Sequence, residues 1–212
     1  MRQPRACNPE TVSDATKRDL RHAARARRLA LTAGLDDGAR EAAAAALAAA
    51  VLRFVPDPSR VAVYESLPDE PPTGRLVEAL LAAGHVVIVP VTLDDFSLEW
   101  RYAVPGAVGD RATVTRRGGA PAPAERAGWL GVDALAACDL VVTPGLSVDR
   151  HGTRLGQGGG CYDRALRHRD PAAPVVTLLH EGEQSELDLP SDPHDVSVDG
   201  YVTTTGRVVR LR

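Results

Sequence analysis

Short apolar runs rich in valine recur along the chain and are separated by longer segments of helical character. Runs of this composition are typical of strands that are buried on both faces of a parallel sheet. They predict strands at 60–64, 85–90, 140–143, 174–179 and 200–204. Residues 98–102 alternate between apolar and polar side chains, which predicts an edge strand, and residues 207–211 are predicted to extend the last strand.

Helices are predicted between these strands, at about 15–31, 37–55, 74–83 and 131–137, and from Cys161 onward. Ser13 or Asp14 can cap the first helix, whereas Thr73 is expected to cap the third helix and Gly84 to end it. The alternation of strands and helices implies right-handed crossovers and a mostly parallel central sheet. We therefore predict a single α/β domain of three layers, α/β/α, over residues 14–212, after a disordered leader at 1–13.

A glycine-rich loop follows the strand at 140–143, with four glycines at Gly156 and 158–160. A backbone without Cβ atoms can close its N–H groups on an anion, and a helix that begins at Cys161 would point its positive end at the same place. No lysine follows the glycines, so this is not a Walker A loop. Cys161 stands where the third glycine of a dinucleotide fingerprint would fall. The loop is therefore either a phosphate cradle of another type or a flexible glycine turn.

Charged residues around this loop favour the phosphate cradle. Arg154 precedes the glycines and Asp163 follows them, and these residue types grip a phosphate and hold a hard cation. Lys17 is the only lysine among 25 basic residues, and a compact ammonium suits a phosphate oxygen, although chance alone could leave one lysine. Lys17, Arg21 and Arg25 share one face of the first helix, which is a solvated basic face, an RNA-contacting face or part of a site.

Composition narrows the class of protein. The chain has 212 residues and a net charge of −3, which argues against general nucleic-acid binding. Its three cysteines are far apart, form no metal-ligand spacing and suggest a reducing compartment. No apolar stretch approaches the length of a membrane span. We expect a cytoplasmic protein, a monomer or weak dimer, with small-molecule partners and without nucleic-acid or membrane partners. Residues 105–126, rich in glycine, proline and arginine, are expected to form a long surface loop.

Five sequence blocks, in the same order along the chain, resemble the 5-formyltetrahydrofolate cyclo-ligase family. They are KRDLR at 17–21, residues 64–70, DLVVTPG at 139–145, RLGQGGGCYDR at 154–164 and PHD at 193–195. The resemblance covers about residues 15–206. It implies an enzyme that uses ATP and Mg²⁺ to convert 5-formyltetrahydrofolate to 5,10-methenyltetrahydrofolate, with release of ADP and phosphate. In that reaction the formyl oxygen attacks the γ-phosphate, and nitrogen-10 then closes the ring as phosphate leaves.

The resemblance also implies roles for individual residues around ATP. Lys17 and Arg154 would be catalytic. The residues that would bind ATP are Lys17, Arg21, Arg154, Leu155, Gly156, Gln157, Gly158, Gly159, Gly160 and Tyr162. The sequence departs from the family pattern at Gln157, where a basic residue is frequent. It also departs at Cys161, next to Tyr162, where an aromatic residue is usual. Ala122 lies in a segment that often carries glutamate in the family.

For the metal and the folate, the resemblance implies four further residues. Asp163 and Asp195 would hold Mg²⁺, Glu70 would contact the reduced pterin, and Trp100 would face the folate. The alternatives are an Asp163–Arg164 ion pair, a turn or cap role for Asp195, a solvated Glu70, and edge-strand packing of Trp100. Other functions that fit the sequence are a folate- or nucleotide-binding protein without turnover and an ATP-using enzyme that acts on another formyl or amide substrate.

Overall fold

The computed structural model describes residues 9–104 and 128–211, with side chains from residue 16 onward. The predicted loop at 105–126, with Ala122, lies outside these ranges, as do Cys7 and most of the predicted leader. The helices are α1 (Pro9–Thr32), α2 (Asp37–Leu52), α3 (Gly74–Ala82) and α4 (Cys161–Ala165), with 3-10 helices at Val132–Ala137 and Leu166–His168. The strands are β1 (Arg60–Val63), β2 (Val86–Thr92), β3 (Leu98–Tyr102), β4 (Leu140–Pro144), β5 (Ser147–Val148), β6 (Arg154–Leu155), β7 (Val175–Leu179), β8 (Gly200–Thr203) and β9 (Val208–Arg210).

Seven of the strands form one mixed sheet in the order β3-β2-β1-β4-β7-β8-β9. The five central strands are parallel, and β3 and β9 pair antiparallel at the two edges. The central strands are largely buried because both of their faces are covered; Val61, Ala62 and Val63 of β1 have no exposed surface. The predicted α/β fold with a mostly parallel sheet is confirmed.

The chain reverses its direction of travel across the sheet between β1 and β4. From β1 it crosses through α3 to β2, whereas from β4 it crosses through α4 to β7 on the other side. Right-handed crossovers in opposite directions place α3 and α4 on opposite faces, and α2 packs against α3. Such a reversal opens a crevice at the carboxyl ends of the strands, where ligands bind in folds of this type.

Helix α1 is longer than predicted, and its buried face is largely polar. It begins at Pro9, inside the predicted leader, because proline is tolerated in the first turn of a helix. Its buried face carries Lys17, Ala24, Arg28 and Thr32, a stripe with two cations in place of large apolar residues. Helix α1 therefore contacts the rest of the domain largely through long polar side chains.

Two other local features differ from the predictions. Thr73 makes no side-chain cap for α3, because its hydroxyl accepts the backbone N–H of Ser66 at 3.2 Å instead. Gly84 ends α3 as predicted, with φ of 86°. The two-residue strands β5 and β6 form an antiparallel ribbon that was not predicted, since strands this short leave no detectable pattern.

Candidate functional site

Three connections converge at the carboxyl ends of β1, β4 and β7. The first runs from the end of β1 to α3, the second from the end of β4 through the β5–β6 ribbon and the glycine loop to α4, and the third follows β7. Helix α1 lies across them, since its side chains bond to residues of the second and third connections. The predicted phosphate loop thus faces the first helix, although more than a hundred residues separate them.

The glycine loop has a backbone that other residues would not adopt. Gly158 has φ of 105° and Gly160 has φ of 64°, both in the left-handed region. A Cβ at Gly160 would also come within 2.9 Å of the Arg164 guanidinium. Helix α4, which follows, has five residues before it tightens into a 3-10 turn. The loop therefore has a defined left-handed conformation at two positions, and the helix behind it is shorter than predicted.

Arg154 is almost completely buried beside this loop, with 9% of the residue exposed. Its guanidinium donates to the carbonyl of Pro144 at 3.2 Å and to Asp163 Oδ1 at 3.1 Å, and lies 5.8 Å from the centre of the Tyr162 ring. Its Nε–H is buried and has no hydrogen-bond partner among the described residues. A buried donor of this kind is what an anion would satisfy.

Asp163 pairs with Arg154 and not with Arg164, so the alternative Asp163–Arg164 ion pair is wrong. Arg164 instead donates to the carbonyls of Phe96 and Gly159, at 2.7 and 3.0 Å. Asp163 Oδ1 also accepts the backbone N–H of Val196 at 3.3 Å. This bond places the Asp163 carboxylate beside the peptide that follows Asp195, its predicted partner in metal binding, 32 positions further along the chain. The carboxylate that groups with Asp195 is that of Asp192, not that of Asp163.

Lys17 is 5% exposed and lies between two carboxylates. Its ammonium donates to Asp192 Oδ2 at 2.5 Å and to Asp195 Oδ2 at 2.6 Å. Burial alone would lower the pKa of Lys17, but the hydrogen bonds and charges of the two aspartates outweigh burial and raise it above its ordinary value. The Lys17 side chain is therefore a buried cation that two aspartates neutralise, and it does not belong to a solvated basic face.

Asp192, His194 and Asp195 form a group whose potential ligand atoms all lie within 4.8 Å of one another. Carboxylate oxygens are the ligands of hard cations, and the Lys17 ammonium shows that a positive charge is stabilised here. The residues thus fit a divalent cation. Asp195 Oδ2 also accepts the backbone N–H of Asp192 at 2.8 Å, so its turn role and a metal role are compatible. Asp192 was missed in the sequence, although it lies in the same short string as Asp195.

Further along α1, two arginines bind the glycine loop directly. Arg21 donates from Nε to the carbonyl of Gly156 at 3.2 Å. Arg25 donates to the Gln157 side chain at 2.8 Å and to its carbonyl at 2.7 Å. The helix therefore holds the backbone of the loop through the carbonyls of two consecutive residues.

The two predicted folate residues lie in different environments. Glu70 is 7% exposed, so the solvated alternative is wrong; its Oε2 accepts the backbone N–H of Leu67 at 2.9 Å. It lines a cavity of about 340 Å³ together with Arg40, Ser66 and His180, among others. Trp100 is fully buried in the main core and does not line this cavity. Its indole N–H has no hydrogen-bond partner among the described residues.

Within the described ranges, no helix has both the length and the apolar character that crossing a bilayer requires. Taken together, the doubly wound α/β fold, the glycine loop, the buried Arg154 and the Lys17–carboxylate group define a protein of the nucleotide-phosphate-binding α/β class.

The chain belongs to the 5-formyltetrahydrofolate cyclo-ligase family, whose model matches residues 13–204. It is 32% identical over 157 residues to a 5-formyltetrahydrofolate cyclo-ligase of Mycolicibacterium smegmatis, which covers 72% of this chain and 77% of the relative. A mouse 5-formyltetrahydrofolate cyclo-ligase is 25% identical over 162 residues, covering 66% of this chain and 70% of the relative. A mitochondrial relative from Arabidopsis thaliana is 40% identical over 100 residues, 42% of this chain and 36% of the relative.

Solved structures agree with this assignment at the level of the fold. The NMR structure of Aquifex aeolicus 5,10-methenyltetrahydrofolate synthetase superimposes with a TM-score of 0.66 at 24% identity, covering 92% of this chain and 93% of that one. By its family and relatives, the chain is a ligase that acts on folate in one-carbon metabolism, and its family is ATP-dependent.

Proposed function

We propose that this site uses ATP and Mg²⁺ to close 5-formyltetrahydrofolate into 5,10-methenyltetrahydrofolate, with ADP and phosphate as the other products. The formyl oxygen attacks the γ-phosphate, and nitrogen-10 then attacks the activated carbon as phosphate leaves. Phosphoryl transfer of this kind needs positioning and charge neutralisation more than covalent help from the protein.

The observation that carries the proposal is the convergence of three phosphate-binding features. The glycine loop, the buried Arg154 with a free Nε–H, and Lys17 all lie at the carboxyl ends of β4 and β7. Arg21 adds a second cation of α1 beside the loop. In this proposal Lys17, Arg21, Arg154, Leu155, the loop 156–160 and Tyr162 surround the ATP phosphates. Lys17 and Arg154 would neutralise the charge that develops on the transferred group.

Magnesium would be held by Asp195 and Asp163, with Asp192 close enough to take part. Asp163 accepts the backbone N–H of Val196, the residue after Asp195, and Asp192 and Asp195 already share a cation, the Lys17 ammonium. When bound, the ion would neutralise phosphate oxygens. Lys17 would then be released from the carboxylates toward a phosphate, while Arg154 keeps its place because Pro144 also holds it.

The cavity beside Glu70 is the proposed site for the reduced pterin. A carboxylate there can accept the ring N–H and amino group of a pterin side by side. The cavity opens between the β1 connection and His180 at the end of β7, next to the crevice between β1 and β4. Trp100 is given no contact with the pterin in this proposal, because its side chain packs in the core from the edge strand β3 and does not line the cavity.

The test is a spectrophotometric assay of the methenyl product with 5-formyltetrahydrofolate, Mg²⁺ and ATP. We expect an absorbance band that grows only with ATP and that Arg154→Lys lowers on the order of 10²–10³-fold in rate, because lysine lacks the guanidinium fork. Arg75→Lys is the matched control, since Arg75 is half exposed and pairs with Glu41 on the surface. A folded protein that binds ATP but gives a flat trace would refute the proposed reaction.

A further inference from the structure

A second buried cation of α1 lies away from the glycine loop, eleven residues after Lys17. Arg28 and Glu183 have side chains that are each 1% exposed. Arg28 Nε donates to Glu183 Oε1 at 2.7 Å and its Nη2 donates to Oε2 at 2.9 Å, so the pair is bidentate. No residue of this pair belongs to the proposed contacts with ATP, metal or folate.

The pair connects the helix to both strand ends that form the phosphate site. Arg28 Nη2 also donates to the carbonyl of Gly145 at 2.5 Å, directly after β4. Gly145 packs against the stem of Arg154, because a Cβ built there would lie 3.3 Å from Arg154 Cγ. Arg28 therefore touches the same peptide that supports the buried arginine of the site.

Glu183 fixes the connection that follows β7. Its Oε2 accepts the backbone N–H of His180 at 2.8 Å, and its carbonyl accepts the Ser147 hydroxyl at 2.5 Å. Ser147 lies in β5, which pairs with the strand that contains Arg154. One ion pair thus joins α1, the end of β4, the β5–β6 ribbon and the end of β7.

A buried ion pair such as Arg28–Glu183 is not needed for the stability of the fold alone. Apolar side chains of similar volume often replace a buried ion pair without loss of stability. A bidentate ion pair does impose a defined geometry, because its two parallel hydrogen bonds fix the rotation and the axial position of the helix. The described apolar contacts of α1 are few, chiefly Leu20 and Ala24 against a small cluster with Leu146, Leu155 and Leu189. A slip of one residue would move the helix by about 1.5 Å and turn it by about 100°.

We propose that Arg28 and Glu183 are positioning residues, which set the register of α1 so that Lys17 and Arg21 face the phosphates of ATP. This inference rests on the proposed function of the site. A displacement of about 1 Å at a reacting group is enough to slow catalysis strongly. The pair therefore acts on ATP through the helix. No described residue of α1 lines the folate cavity, and the pair is linked to that cavity through the backbone N–H of His180, which Glu183 accepts.

The test replaces both charges at once, as Arg28→Met with Glu183→Leu, so that no uncompensated charge is left buried. We expect a folded protein whose Kd and KM for ATP rise on the order of tenfold or more. The KM for 5-formyltetrahydrofolate should rise much less, because the backbone of His180 is the one described wall of the folate cavity that Glu183 holds. In this background, Lys17→Met should weaken ATP binding much less than it does in the wild type, because the lysine is already misplaced. Arg28→Lys keeps the charge but loses the bidentate guanidinium, so it should show the same selective effect on ATP to a smaller degree. This variant tests the proposal if the double variant does not fold.

Calorimetric titration with Mg²⁺ and ATP separates the outcomes, with Arg75→Met/Glu41→Leu as the matched exposed pair that should change nothing. Wild-type protein that binds no ATP would overturn the proposed function and this inference with it. Wild-type binding with equal ATP affinity in the folded variants would overturn the inference alone. Equal losses for ATP and folate, or additive effects with Lys17→Met, would also overturn it, since they indicate a general structural role.

Discussion

Replacing Lys17 by methionine separates the charge of this side chain from its packing. Methionine keeps an unbranched stem of similar length but leaves the carboxylates of Asp192 and Asp195 without their shared cation. We expect two consequences that point in opposite directions. The free energy of unfolding falls, because two acidic groups repel each other, and the same two groups become a better site for a divalent cation.

The size of the stability loss follows from the exposure of the three side chains. Breaking a fully buried ion pair costs about 3–5 kcal/mol, whereas an exposed pair contributes about 0–1 kcal/mol. Lys17 is 6% exposed at its side chain, but Asp192 and Asp195 are 23% and 16% exposed, so water relieves part of the repulsion. A loss of about 2 kcal/mol is expected, which corresponds to a fall in Tm of about 4–8 °C for a chain of this size.

Thermal unfolding with and without Mg²⁺ measures both consequences. Mg²⁺ should raise the Tm of Lys17→Met more than that of the wild type, because no ammonium competes for the carboxylates. In the methenyl assay, kcat/KM should fall on the order of 10²–10³-fold. Arg18→Met, an exposed cation one position along the same helix, is the control and should leave all three values unchanged. Equal Mg²⁺ responses in Lys17→Met and the wild type would refute the view that ammonium and metal share these carboxylates.

Two further changes test the scaffold of the site. Asp149 is 1% exposed and accepts the backbone N–H groups of His151, Thr153 and Leu189 at 2.8–2.9 Å; burial alone would raise its pKa, but these bonds lower it below its ordinary value. Asp149→Asn should therefore lower the free energy of unfolding by about 1–3 kcal/mol above about pH 4. The difference from the wild type should disappear as pH falls through the lowered pKa of Asp149. Melting curves that show the same difference at every pH would contradict this. Gly145→Ala would put a Cβ 2.7 Å from the Thr177 methyl and should cost about 1–3 kcal/mol, and Thr177→Ser should recover part of that loss if the clash is the cause.

The strands were predictable from sequence because their signal is local. Apolar β-branched runs covered on both faces leave few alternatives, and the predicted strand bounds agree with β1–β4, β7 and β8 within two residues. The predicted extension of the last strand at 207–211 is wrong, because the chain turns back after β8 and β9 pairs antiparallel with it. The start of α1 was not predictable in the same way, because residues 9–14 carry no apolar period and helix ends have weak signals. The β5–β6 ribbon was missed because two residues per strand form no period at all.

The site was only partly predictable from sequence. Contacts between residues close together along the chain could be predicted, whereas contacts between distant residues could not. Arg154 and Asp163 flank the glycines, so their proximity could be inferred from a single short stretch. Arg28 and Glu183 are 155 positions apart, and a helix with six lysine and arginine residues gives no reason to choose Arg28 among them. Its spacing from Lys17 does place it on the same face, which is the one signal that could have singled it out.

The resting site balances its charges internally, and this has a consequence for the order of binding. Lys17 neutralises two carboxylates, and Arg21 is bound to the carbonyl of Gly156, so both α1 cations have partners before ATP arrives. ATP alone would have to remove Lys17 from Asp192 and Asp195 and leave those charges near its own phosphates, which is unfavourable. In the proposed reaction, Asp192 and Asp195 would hold a divalent cation that binds together with ATP, and Lys17 would then be free to bind a phosphate. We therefore expect the magnesium complex of ATP to bind far more tightly than free ATP, and Lys17→Met to reduce that preference.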